Sequence, residues 1–366
     1  MLLSHDGFRN FAEAANGDEA LQCVDSYMPD IVLLDVLMPG KDGFAICRKL
    51  RERHSSRDLP ILVQTALDDP DERARAFAAG ANDLLTKPIN KLELLGRINV
   101  HLENQRFFLE MESYRSRVAE ELRLARDMQE TLLPRPREIE AAGKHYGLTI
   151  EHVYRPSSEL GGDFWAIRPL DDDRLRFSIV DFAGHGVTAA LNTFRLHALL
   201  ADVDAPQEDP GRYLSLLNDR LHGLLSSGQF ATVFTCIFDR HSETLSYAAA
   251  ASTPALVVQP GTPDVLASSD PSGLPIGVEP GISYATRELH LPEGCCLLTY
   301  SDALSNVRLE DGSILGADRL KQLTPRSLGG DSKEGFVATL LREIEMLNAL
   351  PFDDDLTIVA LARNAA

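Results

Sequence analysis

Residues 178–192 read SIVDFAGHGVTAALN. An apolar run ends on Asp181, glycines follow at 184 and 186, and an amphipathic stretch then begins. The pattern is strand, tight turn, helix. A phosphate cradle and a metal-ligand site can both be built this way. A P-loop requires G-x-x-x-x-G-K-[ST], and a dinucleotide fold requires G-x-G-x-x-G. DFAGHG is neither.

Around this stretch the chain reads as short alternating segments: GLTIEHVYRP, GGDFWAIRPL, RLRFSIVDF, ATVFTCIFD, TLSYAAAA, PALVVQPG, CCLLTYSDA and LTIVALAR. Helical patterns come between, at 186–201, 211–225 and 333–348. Strands of this kind with a few long helices predict an α+β fold, two packed sheets flanked by helices. Four segments begin or end in aspartate: Asp163 in GGDF, Asp181 in VDFAGHG, Asp302 in YSDAL and Asp354 in DDDLT. Singly, each reads as a turn residue or cap. Two carboxylates about 4 Å apart repel by roughly 4 kcal/mol at an effective dielectric near 20, so four brought together stay ionised only around bound cations. Oxygen-only ligation suits Mg²⁺ or Mn²⁺ and does not suit zinc.

Taken together, ELRLARDMQETLLP, ELGGDF, DFAGHGVTAAL, GLPIGV and DDLTIVAL resemble the SpoIIE/RsbU-like branch of the metal-dependent protein phosphatase 2C (PPM) superfamily, over nearly all of residues 120–363. The resemblance implies two Mn²⁺ or Mg²⁺ ions held by Asp163, Asp181, Asp302, Asp354 and the backbone carbonyl of Phe182. It also implies hydrolysis of phosphoserine or phosphothreonine without a covalent enzyme intermediate. The implied substrate is a phosphorylated STAS-type anti-sigma-factor antagonist. Three departures stand out. His185 is four residues after Asp181, not two as for the general-acid histidine of the wider superfamily, so that role is not carried over. Ala303 replaces the usual glycine after Asp302, and ASTP at 251–254 stands where many members show Gly-His-Asn-Pro. A non-catalytic adaptor that uses the same fold to bind a regulatory partner is the alternative reading.

The first third alternates differently. DIVLLDVLMPGKDGFAICRKL, LPILVQTA and ANDLLTKP are apolar runs separated by helical patterns, which predicts a doubly wound α/β domain with ligands at the carboxyl ends of its strands. At those ends stand Asp35, Thr65 and Lys87. LLDVLMPGKDG, QTA and TKP resemble the CheY-like receiver domain of two-component response regulators. By that resemblance Asp35 is the phospho-acceptor for a sensor histidine kinase, and Thr65 and Lys87 form the receiver switch. Leu84 stands where the family carries its aromatic switch residue. GFRNFAEAANGDEALQCV matches the second strand and helix, with only Met1–Asp6 before it. The expectation is therefore a receiver without its first strand and without the acidic pair that holds Mg²⁺, the result of a start placed too far downstream or of a truncated gene copy. As written, Asp35 is not expected to be phosphorylated normally, and Mg²⁺ is expected there only if that pair is restored.

From Asn90 to Leu133 there is no proline and one glycine, Gly96. Counting by sevens aligns Met111, Val118, Ala125 and Leu132, and beside them Phe108, Arg115, Leu122 and Gln129, which predicts one long helix forming a coiled-coil homodimer. The expected domains are a receiver at 1–96, a helical linker at 97–134 and a SpoIIE-type phosphatase at 135–366. Fifty-five acidic against 36 basic residues give a net charge of -19, which argues against nucleic acid or an anionic membrane as partner. With no apolar span and no leader pattern, a cytoplasmic protein is expected. Cys23, Cys47, Cys236, Cys295 and Cys296 show no C-x-x-C spacing and read as core thiols.

Overall fold

The computed structural model describes every residue except 1–7, 9, 39–41, 67–69, 185, 203–208, 227, 243, 261, 263–264, 329–334, 348–350 and 365–366. Met1–Asp6 and His185, singled out above, therefore lie outside the described residues. The chain divides into two compact units, Met1–Ala119 and Glu120–Ala366.

In the first unit, β1 (Val32–Asp35), β2 (Ile61–Thr65) and β3 (Asp83–Thr86) form a parallel sheet in that order. Parallel neighbours require crossovers, supplied by α2 (Gly43–Arg51) and α3 (Pro70–Ala78). Alternation along the strands sorts the core. Leu34, Ile61, Val63 and Leu84 pack with α2 and with Val24 of α1 (Gly17–Tyr27). Leu62 and Leu85 face the other way, onto Leu94 and Ile98 at the start of α4 (Lys91–Glu130).

The expected second strand does not form: residues 10–14 join no sheet. Among the described residues no strand stands between them and β1, so their backbone groups have no ladder to enter.

The predicted long helix is α4, 40 residues without a break and about 60 Å long at 1.5 Å per residue. Its surface carries ion pairs at helical spacing, Arg106–Glu110, Arg123–Asp127 and Arg126–Glu130 among them. Phe108 and Met111 of the predicted seam are exposed, whereas Gln129 is buried inside the second unit. Gln129 is thus not a polar member of a dimer seam. Pro134 and Pro136 end the helix as expected, and Pro136 also opens a helix the periodicity missed, α5 (Pro136–Tyr146), where proline at the first position is compatible with the absent N–H.

The second unit is a four-layer sandwich. One antiparallel sheet has the order β10-β9-β12-β13-β4 and the other β11-β8-β7-β6-β5. The first comprises β4 (Leu148–Arg155), β9 (Leu256–Val258), β10 (Ala267–Ser268), β12 (Cys296–Tyr300) and β13 (Leu356–Arg363). The second comprises β5 (Asp163–Pro169), β6 (Arg174–Phe182), β7 (Ala231–Asp239), β8 (Thr244–Ala250) and β11 (Arg287–His290).

Between the sheets lie Trp165, Phe177, Ile179, Phe234, Val257, Leu297 and Val359. On one outer face, α6 (Val187–Asp202) and α7 (Pro210–His222) cover Phe164, Val180 and Phe182. On the other, α8 (Asp302–Asn306), α9 (Ala317–Leu328) and α10 (Phe336–Glu345) cover Leu298, Tyr300 and Ile358. Pro325 hid α9 from the sequence reading. The Thr324 hydroxyl donates to the Lys321 carbonyl at 3.3 Å, the acceptor that a residue 325 N–H would otherwise have used. Among the described residues no helix is long and apolar enough to cross a membrane.

Two of the sequence departures resolve differently. Ala303 sits in the first turn of α8 with ordinary helical backbone, so no glycine is needed there. Ala251 has φ +52°, a left-handed backbone, at the position where the resembling family shows glycine. That conformation costs a residue with a Cβ roughly 1 kcal/mol. Ala251→Gly is therefore expected to stabilise the second unit by about 0.5–1 kcal/mol, read as a higher urea midpoint. An unchanged or lower midpoint would show that the strain is relieved elsewhere.

Candidate functional site

Asp163 opens β5 and Asp181 is the penultimate residue of β6, and the two are direct register partners. Residues directly opposite in an antiparallel pair share a face, with Cα atoms about 4.5–5.5 Å apart. That face also carries Phe177 and Ile179, so both carboxylates look into the space between the sheets.

The facing sheet contributes from the same end. β12 leads through Ser301 into Asp302, while Asp354 and Asp355 precede β13, and the Ser301 amide donates to the Thr357 carbonyl at 2.8 Å. The four aspartates singled out from the sequence thus come from one end of the sandwich, two from each sheet.

Their electrostatics are those of crowded like charges. Asp163 is 2% exposed, and neither of its oxygens accepts a hydrogen bond. Burial, then the charge of Asp181, pushes its carboxyl well above the usual range, and the nearby Thr357 and Ser301 hydroxyls offset only part of this without hydrogen-bonding geometry. Burial, then the charges of Asp302, Asp354 and Asp355, pushes Asp181 up to about 7. Asp302, an exposed residue, is raised by partial desolvation of its carboxyl and by the charge of Asp354. Among the described residues no three carboxylate, imidazole or thiol groups stand close enough to cage an ion as they are placed.

The turn after β6 is built by glycines. Gly184 and Gly186 have φ +89° and +81°, which lets the chain reverse from Phe182 into α6. Across from it, a Cβ on Gly162 would stand 3.0 Å from the carbonyl oxygens of both Phe182 and Gly184. Only glycine lets the strand bearing Asp163 approach the Phe182 carbonyl this closely.

Two residues near the site escaped the sequence reading. Asp355, the third member of DDD, accepts from Gly162 N and from Ser157 N and Oγ. Gln129 donates to the Gly161 carbonyl at 2.6 Å and to Thr193 Oγ1 at 3.0 Å, and accepts from Gly161 N at 3.2 Å. The signal for Asp355 was an aspartate beside Asp354. Gln129 lies within ELRLARDMQETLLP, but heptad spacing alone accounts for it.

In the receiver unit, Asp35 ends β1, Thr65 ends β2 and Lys87 follows β3, all at carboxyl ends of parallel strands. Lys87 Nζ pairs with Asp35 Oδ2, the Leu37 amide donates to Asp35 Oδ1 at 3.1 Å, and the Thr65 hydroxyl donates to Glu72 Oε2 at 2.8 Å. Leu84, at the aromatic switch position, is buried in the core.

A family model for the response regulator receiver domain matches residues 1–99, and the model of stage II sporulation protein E (SpoIIE) matches residues 171–364, more than half of the chain. Among curated proteins, Response regulator PleD of Caulobacter vibrioides is 31% identical over 232 residues, which is 58% of this chain and 49% of PleD. Response regulator MprA of Mycobacterium leprae is 48% identical over 101 residues, 27% of this chain and 42% of MprA. The chain spans about half or less of the length of these relatives. Among solved structures, the SiaA-PP2C domain of Pseudomonas aeruginosa aligns with TM-score 0.58 at 22% identity, covering 68% of this chain and 98% of that one. The RsbU and RsbW domains of a Mycobacterium tuberculosis protein align with TM-score 0.51 at 23% identity, over 60% of each chain. At these identities the likeness is one of fold. The chain belongs to the SpoIIE family, with a response regulator receiver domain joined to a domain of PP2C-type fold.

Proposed function

We propose that this chain is a response regulator whose output is metal-dependent dephosphorylation of phosphoserine or phosphothreonine on a partner protein. The observation that carries this reading is Asp163: a carboxylate 2% exposed, with no hydrogen bond at either oxygen, set in register against Asp181. Burying a carboxylate without partners is costly unless a cation is there to receive it. The four aspartates and the Phe182 carbonyl offer oxygen donors, which fits Mn²⁺ or Mg²⁺.

Asp163, Asp181, Asp302, Asp354 and the Phe182 carbonyl would hold two such ions. When bound, the ions supply an activated water and neutralise the phosphoryl oxygens during in-line displacement. The chain's own residues set the geometry: the β5–β6 register fixes Asp163 against Asp181, and the Ser301–Thr357 contact fixes the Asp302 and Asp354 turns relative to each other.

The substrate we infer is a phosphorylated STAS-type anti-sigma-factor antagonist, on the resemblance to the SpoIIE/RsbU-like branch. In the receiver, Asp35 stands where a sensor histidine kinase would deliver a phosphoryl group, with Lys87 and Thr65 placed to meet its oxygens, once the acidic pair that holds Mg²⁺ is supplied. The exposed apolar residues of α4, Phe108 and Met111, support a homodimer through that helix. The non-catalytic adaptor, which would use the same fold to bind a regulatory partner, is the alternative, since fold alone does not establish function.

The test is phosphate release from a phosphoserine STAS-domain protein by the full chain. We expect turnover with Mn²⁺ or Mg²⁺ and none in excess chelator. Binding of that protein without turnover in either metal would favour the adaptor.

A further inference from the structure

Two buried carboxylates at this end of the sandwich differ in their partners. Asp163 and Asp355 are 2% and 3% exposed. Asp163 accepts no hydrogen bond. Asp355 accepts three: Oδ1 from Ser157 N at 2.6 Å and Ser157 Oγ at 2.9 Å, and Oδ2 from the Gly162 amide. A buried carboxylate with three donors is satisfied as it stands, whereas one with none still needs a positive charge.

We propose that Asp355 is a positioning residue for the phosphatase reaction: it fixes Gly162, and so the Asp163 carboxylate that follows, and is not itself a metal ligand. This rests on the reading that the carboxylate cluster is a hydrolytic metal centre.

The loop it holds is clamped on both sides. Gln129 takes the N–H and C=O of Gly161, and Asp355 takes the N–H of Gly162, so consecutive residues are held by side chains 32 and 193 positions away in the sequence. Neither glycine has room for a side chain. A Cβ on Gly161 would stand 2.8 Å from the Tyr154 hydroxyl and 3.1 Å from Asp355 Oδ2, and one on Gly162 would press on the Phe182 carbonyl. A loop held this closely leaves Asp163 little freedom except about its own side-chain bonds. The DDD run thereby divides its labour: Asp354 remains exposed, while Asp355 is turned inward onto the loop of the opposite sheet.

Asp355→Asn tests this, because an amide cannot accept at both ends and must turn its NH₂ toward either the Gly162 or the Ser157 amide. The full-length chain is titrated with Mn²⁺, bound ions per chain are counted by calorimetry, and kcat and KM are measured on a phosphoserine protein. For Asp355→Asn we expect the wild-type number of ions, KM within about twofold, and kcat lower by about a hundredfold, the usual scale for a reacting group displaced by about 1 Å. Asp354→Asn is expected to bind fewer ions. Ser157→Ala, which removes one donor and no ligand, is expected to lower kcat several-fold with the ion count unchanged, and it carries the test if Asp355→Asn does not fold. Fewer ions in Asp355→Asn would make Asp355 a ligand and overturn the proposal, as would wild-type kcat in either Asp355→Asn or Ser157→Ala. A wild-type chain that binds no Mn²⁺ would overturn the metal-centre reading itself, and this proposal with it.

Discussion

Asp181→Asn is expected to lower kcat about a thousandfold in saturating Mn²⁺. Two unit charges about 4 Å apart are worth roughly 4 kcal/mol at an effective dielectric near 20, close to three powers of ten in rate, and the double charge of Mn²⁺ makes this a lower bound. The same substitution is expected to act on stability with the opposite sign when metal is absent. Asp181 is crowded by the charges of Asp302, Asp354 and Asp355 in a largely buried setting, so removing its charge relieves repulsion in the metal-free protein. In excess chelator the variant should therefore unfold at a temperature no lower than the wild type, as followed by scanning calorimetry. A variant that retains wild-type turnover, or that unfolds much earlier in chelator, would show that Asp181 is structural.

Gln129→Ala is expected to lower both stability and rate. It leaves the buried Gly161 N–H and C=O without partners, at about 1–3 kcal/mol for each unsatisfied group. It also frees the loop that leads into Asp163. Urea denaturation of the second unit should show a loss of about 2–6 kcal/mol, and kcat should fall more than tenfold with Mn²⁺ present. If Gln129 served only a coiled-coil seam, the substitution would instead change the oligomeric mass and leave kcat alone. Because α4 runs unbroken from Lys91 to Glu130, this contact ties one end of that helix to the loop of the candidate metal centre.

The parts of the fold legible in the sequence are those with strong local patterning. The apolar run ending on Asp181, the proline stop after α4 and the strand-terminal Asp35, Thr65 and Lys87 could be placed from spacing alone. What the sequence hid depends on neighbours distant along the chain. Residues 10–14 carry a plausible strand composition yet pair with nothing, since a strand requires an adjacent ladder. α9 was concealed by Pro325, whose missing donor is offset by the Thr324 hydroxyl. Gln129 fitted a heptad, but its partners are Gly161 and Thr193, 32 and 64 residues away. Asp355 is not separable from Asp354 by motif, because which of two adjacent aspartates turns inward is decided by the opposite sheet.

The most direct test of the metal centre requires no substrate. Calorimetric titration of the chain with Mn²⁺, paired with thermal unfolding in the same buffer, reads whether the carboxylates of Asp163, Asp181, Asp302 and Asp354 receive cations. The expected result is two ions per chain and a later unfolding transition for the phosphatase unit, by about 2.7 kcal/mol at a hundredfold excess over Kd for each site. Both effects should be lost in Asp163→Asn. No binding at millimolar Mn²⁺, with an unchanged transition, would contradict a metal centre at this end of the sandwich.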